Sequence, residues 1–164
     1  MILRPATVED QLALESFDVG DTTAPWLGEV SEIVAGLIGW RQDPGHGHLE
    51  RQVVVAESDG GIVAVLAHER IELQGVGALP DHRYLMVVAV RTDHQRTGVA
   101  RVITESVLKQ LQREGVRTVR WLVHPRNVAS IAFSRRVFPE ADETQPPEDR
   151  PYVTSCSGCS SGAR

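Results

Sequence analysis

The sequence predicts an α/β (α+β) fold in which helices flank a mixed central sheet of six to seven strands. The hydrophobic period switches repeatedly between the helical and the strand value, in the order β-αα-βββ-α-β-α-ββ. A length of 164 residues, with 41% hydrophobic and 24% charged residues, is typical of one globular domain. We expect a single domain over residues 1–155 and a disordered tail over residues 156–164.

One strand and two helices are predicted in the N-terminal part of the chain. Residues 2–5 have the pattern of a short strand, and Thr7 with Asp10 resembles a capping box that opens a helix. The apolar residues of this helix are Leu12, Leu14 and Phe17. A second helix is predicted over residues 27–38, where apolar residues recur at the spacing of one buried stripe.

Three strands are expected next. Residues 53–57 and 62–73 flank an Asp-Gly-Gly turn at residues 59–61, and residues 84–90 form a nearly continuous apolar run. Such a run suits a central strand that is buried on both faces. The segment between the last two strands contains Gly75, Gly77 and Pro80, and it predicts a loop.

The remaining elements alternate between helix and strand. A helix is predicted over residues 98–114, ended by Gly115, and a strand over residues 116–123. Asn127 is placed to cap a helix that reaches about residue 137, and residues 139–155 would add two short strands. The expected inner face of the helix at 98–114 consists of Val99, Val102, Ile103, Val107, Leu108 and Leu111.

Composition argues against several classes of protein. No apolar run approaches the ~20 residues that span a bilayer, and the first residues lack the pattern of an export signal. We therefore expect a cytoplasmic protein with no membrane partner. Cys156 and Cys159 both lie in the expected tail, so no disulfide framework is predicted. His46 and His48 lack a third ligand nearby, so no metal site is expected.

The charge is distributed unevenly along the chain. Residues 1–80 carry 13 acidic and 4 basic side chains, whereas residues 81–164 carry 9 acidic and 13 basic ones. This asymmetry indicates an anion site in one half and a cation site in the other, unless the arginines only solvate exposed helix faces. Nucleic acid is a poor fit, because the net charge is −5 and the basic segment has few aromatic residues.

The strongest local signal is the segment Gln95-Arg96-Thr97-Gly98-Val99-Ala100, which follows the predicted buried strand and opens a helix. The unpaired N–H groups of a first helical turn bind phosphate, and Gly98 would let the backbone approach it closely. Three arginines surround this turn, namely Arg91, Arg96 and Arg101. The alternative is an ordinary strand–helix connection that contains a glycine.

These residues resemble the acetyl-CoA-binding signature R/Q-x-x-G-x-G/A of the GNAT superfamily of N-acetyltransferases. The segment Val123-His124-Pro125-Arg126-Asn127, followed by Ser130, Ile131 and Phe133, is similar to the end of the family's fifth strand and the helix after it. The element order agrees from residue 2 to about residue 138. The resemblance implies a GNAT-like fold, acetyl-CoA as cosubstrate and no metal.

The resemblance also implies a set of residues that bind acetyl-CoA. Backbone groups of Val88 and Val90 would face the acetyl and pantetheine amide groups, and Asn127 with Phe133 would contact the cofactor arm. The backbone N–H groups that would hold the pyrophosphate belong to Gln95, Arg96, Thr97, Gly98, Val99, Ala100 and Arg101. Asn127 alone is also explained as a helix cap.

The catalytic residues are less well defined by the resemblance. Many family members have a tyrosine that protonates the leaving thiolate, and Ser134 occupies that position here. The family's general base aligns with Tyr84, and His82 would share the same face of the strand. Glu69 and Glu72 are alternatives for the base, and a solvated surface role is an alternative for each of these residues.

The activity implied is acetyl transfer to a primary amine by direct attack in a ternary complex, since no cysteine lies near the site. Acidic residues around the expected acceptor site favour a cationic small-molecule or peptidyl amine. They are Asp18, Asp21, Glu29, Glu32, Asp43 and Glu50. The alternative is a CoA-binding regulatory or degenerate module with little turnover. Homodimers are common in the family, and the sequence leaves the oligomeric state open.

Overall fold

A five-stranded mixed sheet organises the part of the chain that the computed structural model describes, which is residues 1–21, 23–38, 51–73 and 77–141. The elements are β1 (Ile2–Pro5), a 3-10 turn (Val8–Asp10), α1 (Gln11–Glu15), α2 (Pro25–Gly36), β2 (Gln52–Ser58), β3 (Gly61–Leu73), β4 (Gly77–Val90), a second 3-10 turn (Thr92–His94), α3 (Val99–Arg113), β5 (Thr118–Trp121) and α4 (Val128–Val137).

The predicted fold class is confirmed. The strands lie in the order β1-β2-β3-β4-β5, antiparallel except for the parallel pair β4–β5. The described residues contain five strands rather than six or seven. The two additional strands were predicted within residues 139–155, of which only residues 139–141 are described, and those form no strand. The expected tail at 156–164, both cysteines, His46 and His48 lie outside the described residues.

The β2–β3 hairpin has the predicted turn. Ser58 pairs with Gly61, so the loop consists of Asp59 and Gly60, with φ values of 53° and 76°. Positive φ at both loop residues is the geometry that matches the right-handed twist of the flanking strands. An Asp-Gly pair adopts it at low cost.

The loop predicted around Gly77 and Pro80 was wrong, because β4 already begins at Gly77. The first part of β4 pairs with the end of β3, and the register then shifts between Arg70 and Ile71. Pro80–His82 bulge out of the ladder with β3 at this shift, and a bulge is where a strand tolerates a proline. The sequence did not predict this part of the strand, because glycine and proline are rare in strands and the prediction relied on β-branched residues.

The helices cover the two faces of the sheet. On the first face, α1 and α2 bury Leu14, Val34 and Leu37 against the sheet. On the second face, α3 buries Ile103 and Val107. The structure contradicts the inward position predicted for Val102, which is 46% exposed. The buried face of α3 contains Thr104 together with Ile103 and Val107. Val102 lies outside this face.

Local hydrogen bonds fix the helix ends. The Asp10 carboxylate accepts a bond from the Thr7 N–H at 2.8 Å, the reaching-back half of the predicted capping box. Gly115, at φ 84°, ends α3 in a Schellman motif: its N–H donates to Gln112 C=O, and the next N–H, of Val116, donates to Leu111 C=O. In the described ranges no helix has the length and hydrophobicity needed to cross a membrane.

Candidate active site

The parallel strands β4 and β5 separate partway along their length. Their pairing runs from His82–Thr118 to Leu85–Trp121, and β5 ends there while β4 continues to Val90. The strand predicted over residues 116–123 is therefore shorter than expected, because a strand needs a ladder partner and β5 loses its partner. Among the described residues no strand pairs with this side of β4 beyond Leu85, which leaves a gap there.

Backbone groups of β4 face this gap. Arg91 N–H donates to Val63 C=O of β3 at 2.9 Å, and residues of an antiparallel ladder alternate between facing their partner and facing away. Val88 and Val90 therefore direct their N–H and C=O groups away from β3. Met86 has no partner in the β3–β4 ladder, because Leu85 pairs with His68 and Val87 pairs with Ala67. This bulge lies between Val88 and the pairs formed by the first part of β4.

The N-terminus of α3 stands at the open end of the gap. Gly98 precedes the helix with φ 89°, and a Cβ at this position would meet no atom within 4 Å. The Val102 N–H donates to the Gly98 C=O at 3.1 Å, so the N–H groups of residues 99–101 lie ahead of the helical ladder. Arg96 also has a positive φ, of 65°, which is strained for a residue with a side chain. The turn thus directs several N–H groups into open space.

The polar side chains of this turn hold its shape. The Gln95 amide donates from Nε2 to Val19 C=O at 3.2 Å and to Val90 C=O at 3.3 Å. The Thr97 hydroxyl donates to His94 C=O at 2.6 Å. The Gln95 backbone N–H donates to Thr92 C=O at 3.3 Å, so of these two residues Thr97 is the one that can offer a ligand its backbone N–H. The side chains tie the turn to β4 and to the segment after α1.

The three arginines around the turn differ in their partners. Arg91 binds Asp93 at 2.8 and 3.1 Å, which keeps the pKa of that carboxyl well below its usual range. Arg101 bonds Glu105 at 2.6 Å on the exposed surface of α3. Arg96 is exposed and has no hydrogen-bond or ion-pair partner among the described residues. Arg96 is therefore the guanidinium most available to a phosphate group.

The predicted residues of α4 follow β5 in the chain, and one of them bonds to that strand. Asn127 caps the helix, since its Oδ1 accepts a bond from Ser130 N–H at 3.0 Å. Phe133 is half-buried one turn further on. Ser134 accepts a hydrogen bond at Oγ from the indole Nε1–H of Trp121 at 3.1 Å. Sequence patterns could not reveal this last bond, because it joins two different elements.

Tyr84 lies in β4 beside the point where the strands separate, paired with Glu69 of β3. Burial and the nearby Glu69 carboxylate both raise the pKa of Tyr84, so its phenol stays protonated. Glu69 accepts both bonds from Arg51, from Nε at 3.1 Å and Nη2 at 2.6 Å, on the single oxygen Oε2. Glu72, the other alternative base, has a side chain outside the described part of the structure.

His82 pairs with Asp81, whose carboxylate oxygen lies 2.9 Å from His82 Nδ1. A carboxylate at Nδ1 favours the tautomer in which Nε2 is the basic nitrogen. His82 and Tyr84 are two residues apart in β4, so their side chains lie on the same face of the sheet. They pair with Thr118 and Arg120 of β5, respectively. His82 lies six residues before Val88, roughly 17–20 Å along the strand, so it would act on a substrate there only through intervening groups.

One aromatic contact near the gap was not predicted. The rings of Trp26, in the first turn of α2, and His124, just after β5, lie 4.8 Å apart between centroids. His124 Nδ1 accepts a bond from Arg126 N–H at 3.1 Å. This contact brings the start of α2 to the end of β5. The sequence separates its partners too widely for any local pattern to indicate it.

The acidic residues expected around an acceptor have varied surroundings. Asp18 and Asp21 each accept a bond from a backbone N–H two residues on, at 2.8 and 3.0 Å. Glu29 and Glu32 are exposed on α2, and Asp43 and Glu50 lie outside the described residues. Among the residues that the structure describes, no three His, Cys, Asp or Glu side chains are grouped to hold a metal ion.

A gap beside the second half of β4, with a helix N-terminus at its open end, is a geometry that suits a long ligand carrying phosphate. The model of the acetyltransferase (GNAT) family matches residues 6–138, and the chain belongs to this family. It is thus an acyltransferase, as the sequence motifs predicted. A search of curated proteins gave no match.

Solved structures share this fold at low sequence identity. A protein from Desulfovibrio desulfuricans assigned to the GNAT family has a TM-score of 0.73 at 14% identity, covering 95% of this chain and 96% of that chain. The ribosomal-protein-S18-alanine N-acetyltransferase from Escherichia coli has a TM-score of 0.61 at 18% identity, covering 95% and 89%. PaiA N-acetyltransferase from Thermoplasma acidophilum, in complex with coenzyme A, has a TM-score of 0.64 at 10% identity, covering 95% and 95%.

Proposed function

We propose that this acetyltransferase moves the acetyl group of acetyl-CoA to a cationic primary amine by direct attack in a ternary complex. The observation that carries the proposal is the gap between β4 and β5, into which Val88 and Val90 direct backbone groups. A neighbour of the same fold was solved with coenzyme A bound. Acetyl-CoA supplies a thioester, whose carbonyl carbon an amine can attack.

The residues of the gap fit the two ends of this cosubstrate. The N–H groups at the start of α3 and the Arg96 guanidinium would hold the phosphates, and the space in front of Gly98 leaves room for them. Backbone groups of Val88 and Val90 would bind the acetyl and pantetheine end. Asn127 and Phe133 would contact the arm from α4, with Asn127 using the amide N–H groups that its capping bond leaves available.

The amine must lose a proton before it attacks. We assign this proton to His82 Nε2, reached through the Tyr84 hydroxyl and water, because Tyr84 lies between His82 and the gap in β4. The protonated phenol can donate and accept at once, which a relay requires. The amine nitrogen then forms a bond to the carbonyl carbon and releases its second proton to water, and the carbon–sulfur bond breaks. CoA leaves as the thiol after the sulfur is protonated by water, or by Ser134, which regains its proton from water.

A second function, CoA binding with little turnover, is favoured by one contact. The Ser134 oxygen already accepts the Trp121 N–H, and a serine hydroxyl is a weaker acid than the tyrosine found in many relatives. Under this alternative the chain would bind acetyl-CoA and release it without acetylating an amine at a useful rate.

Calorimetry with acetyl-CoA tests the binding step. Wild type should bind in the micromolar range and more weakly at high salt, and Gly98→Trp should lose binding. Gly115→Trp is the matched control, since Gly115 also has a positive φ and open space around its Cβ position but ends α3 instead of beginning it. Equal losses in both variants, or no binding to wild type, would contradict the assigned site.

Turnover with a panel of amines tests the chemistry. We expect acetylation of amines that are protonated at pH 7 and little reaction with arylamines that are neutral at that pH. Binding of acetyl-CoA without acetylation of any amine would favour the alternative function. An equal preference for neutral amines would contradict the cationic acceptor.

A further inference from the structure

Three side chains form a row across the strands next to the gap. Glu69 of β3 pairs with Tyr84 of β4, and Tyr84 pairs with Arg120 of β5. Their neighbours Leu85, Val119 and Trp121 are buried against α3 and α4 on the opposite face. Because side chains alternate along a strand, all three members of the row lie on the face that α1 and α2 cover.

Glu69 provides a negative end to this row. Its side chain is only 14% exposed, and Arg51 occupies Oε2 with both of its bonds. Among the described residues nothing bonds to Oε1. A carboxylate accepts several hydrogen bonds, so Oε1 can receive an ammonium group while Arg51 holds the side chain in place.

Arg120 provides the opposite end. It is exposed, and in the described part of the chain it has neither a hydrogen bond nor an ion pair. The row thus has a carboxylate at one end and a guanidinium at the other. A ligand with charges of both signs would meet a partner at each end.

We infer that the acceptor carries a carboxylate as well as the reacting amine, an inference that rests on the proposed acetyl transfer. The amine end lies between Glu69 and Tyr84, beside the point where β4 and β5 separate, and the carboxylate binds Arg120. Two strand spacings separate Glu69 from Arg120, which is about 10 Å between backbones. The acceptor is thus of the amino-acid class, with a spacer between its two charged groups.

Acetylation of ω-amino acids of increasing length, each compared with its own carboxamide, tests the inference. The two members of each pair have the same amine and nearly the same shape, so the ratio of their kcat/KM values isolates the carboxylate. We expect a ratio of about tenfold or more in favour of the acid at the best length, the range of a charge-assisted bond. Arg120→Gln should bring this ratio close to one, and Glu69→Gln should raise KM for both members of each pair.

Matched variants separate this effect from general damage. Arg113→Gln removes an exposed arginine of α3, and Glu57→Gln removes a glutamate that binds Arg4 through one oxygen between β1 and β2, at the opposite edge of the sheet. Both should keep the wild-type ratio. A ratio near one in wild type that acetylates the carboxamides, or a ratio unchanged in Arg120→Gln, would overturn the inference. Absence of acetylation with every amine would instead refute the proposed function on which it rests.

Discussion

The indole N–H of Trp121 donates to the hydroxyl oxygen of Ser134 at 3.1 Å, and this bond joins β5 to α4 beside the gap. Trp121 is buried and packs on Phe138 with ring centroids 4.0 Å apart. A buried indole N–H needs a hydrogen-bond acceptor, and Ser134 supplies it. Ser134 therefore has a structural role at the position where many relatives have the tyrosine that protonates the thiolate. Its own O–H can still donate, since a hydroxyl accepts and donates at the same time.

Loss of this acceptor should destabilise the fold. Ser134→Ala leaves the Trp121 N–H without a partner, and we expect the free energy of unfolding in urea to fall by about 1–3 kcal/mol. Trp121→Phe removes the donor while keeping a ring, and in that background Ser134→Ala should cost clearly less. Equal costs in both backgrounds would show that the bond contributes nothing.

We expect Arg96 to lower the stability of the fold and to raise the affinity for acetyl-CoA. Its φ of 65° is unfavourable for a side chain and natural for glycine, so Arg96→Gly should unfold at a urea concentration at least as high as wild type. The same variant should bind acetyl-CoA more weakly by calorimetry and with a smaller dependence on salt, because a phosphate contact is lost. Arg113→Gln is the control for the loss of an exposed charge, since Arg113 is the last residue of α3 and glutamine keeps a similar helix propensity. Unchanged affinity in Arg96→Gly would remove Arg96 from the phosphate site.

Features encoded in short segments could be predicted from the sequence. The turn at residues 59–60, the C-terminal motif at Gly115 and the cap at Asn127 each depend on residues within one turn of each other. The backbone conformation of the turn before α3 belongs to the same group, because Gly98 takes a positive φ and the helix follows directly. Local conformational preference determines all of them, and the structure has them where the sequence predicts them.

Features that depend on pairing between distant segments could not be predicted. The early start of β4 at Gly77 follows from its ladder with β3, and the short β5 follows from the loss of its partner beyond Trp121. The contact between Trp26 and His124 and the row from Glu69 to Arg120 likewise require the folded sheet. The sequence shows Arg120 only as one of many arginines, and the strand register is needed to place it beside Tyr84.

His82 should matter most where the amine is most protonated. His82→Gln removes the basic nitrogen, so we expect kcat to fall by about 100-fold near pH 7 and the deficit to shrink as the pH rises and free amine forms. Asp81→Asn should lower kcat in the same direction by less, because it weakens the orientation of His82 while leaving the ring. Affinity for acetyl-CoA should stay unchanged in both. A deficit of equal size at every pH would contradict the role of His82 as the proton acceptor.

His68 should make the fold sensitive to acid. The ring is 1% exposed, and burial together with the Arg83 charge lowers its pKa from 6.5 to about 4. Between these values the unfolded chain takes up a proton that the folded chain does not. The free energy of unfolding should therefore fall by about 3 kcal/mol as the pH drops from 6.5 towards 4, a change that urea titrations at several pH values would measure.

His68→Leu should remove most of this dependence. Nδ1 of the ring is buried and, within the described ranges, has no hydrogen-bond partner, so an apolar side chain of similar size loses little there. His94→Gln is the matched control, because His94 is 24% exposed and pairs with Asp93 on the surface, and this variant should keep the wild-type slope. A His68→Leu protein whose stability declines between pH 6.5 and 4 as steeply as wild type would place the sensitivity elsewhere. The pKa of Asp10, lowered to about 2 mainly by its bond to Arg4, confines its effect to more acidic solution, which keeps the two contributions apart.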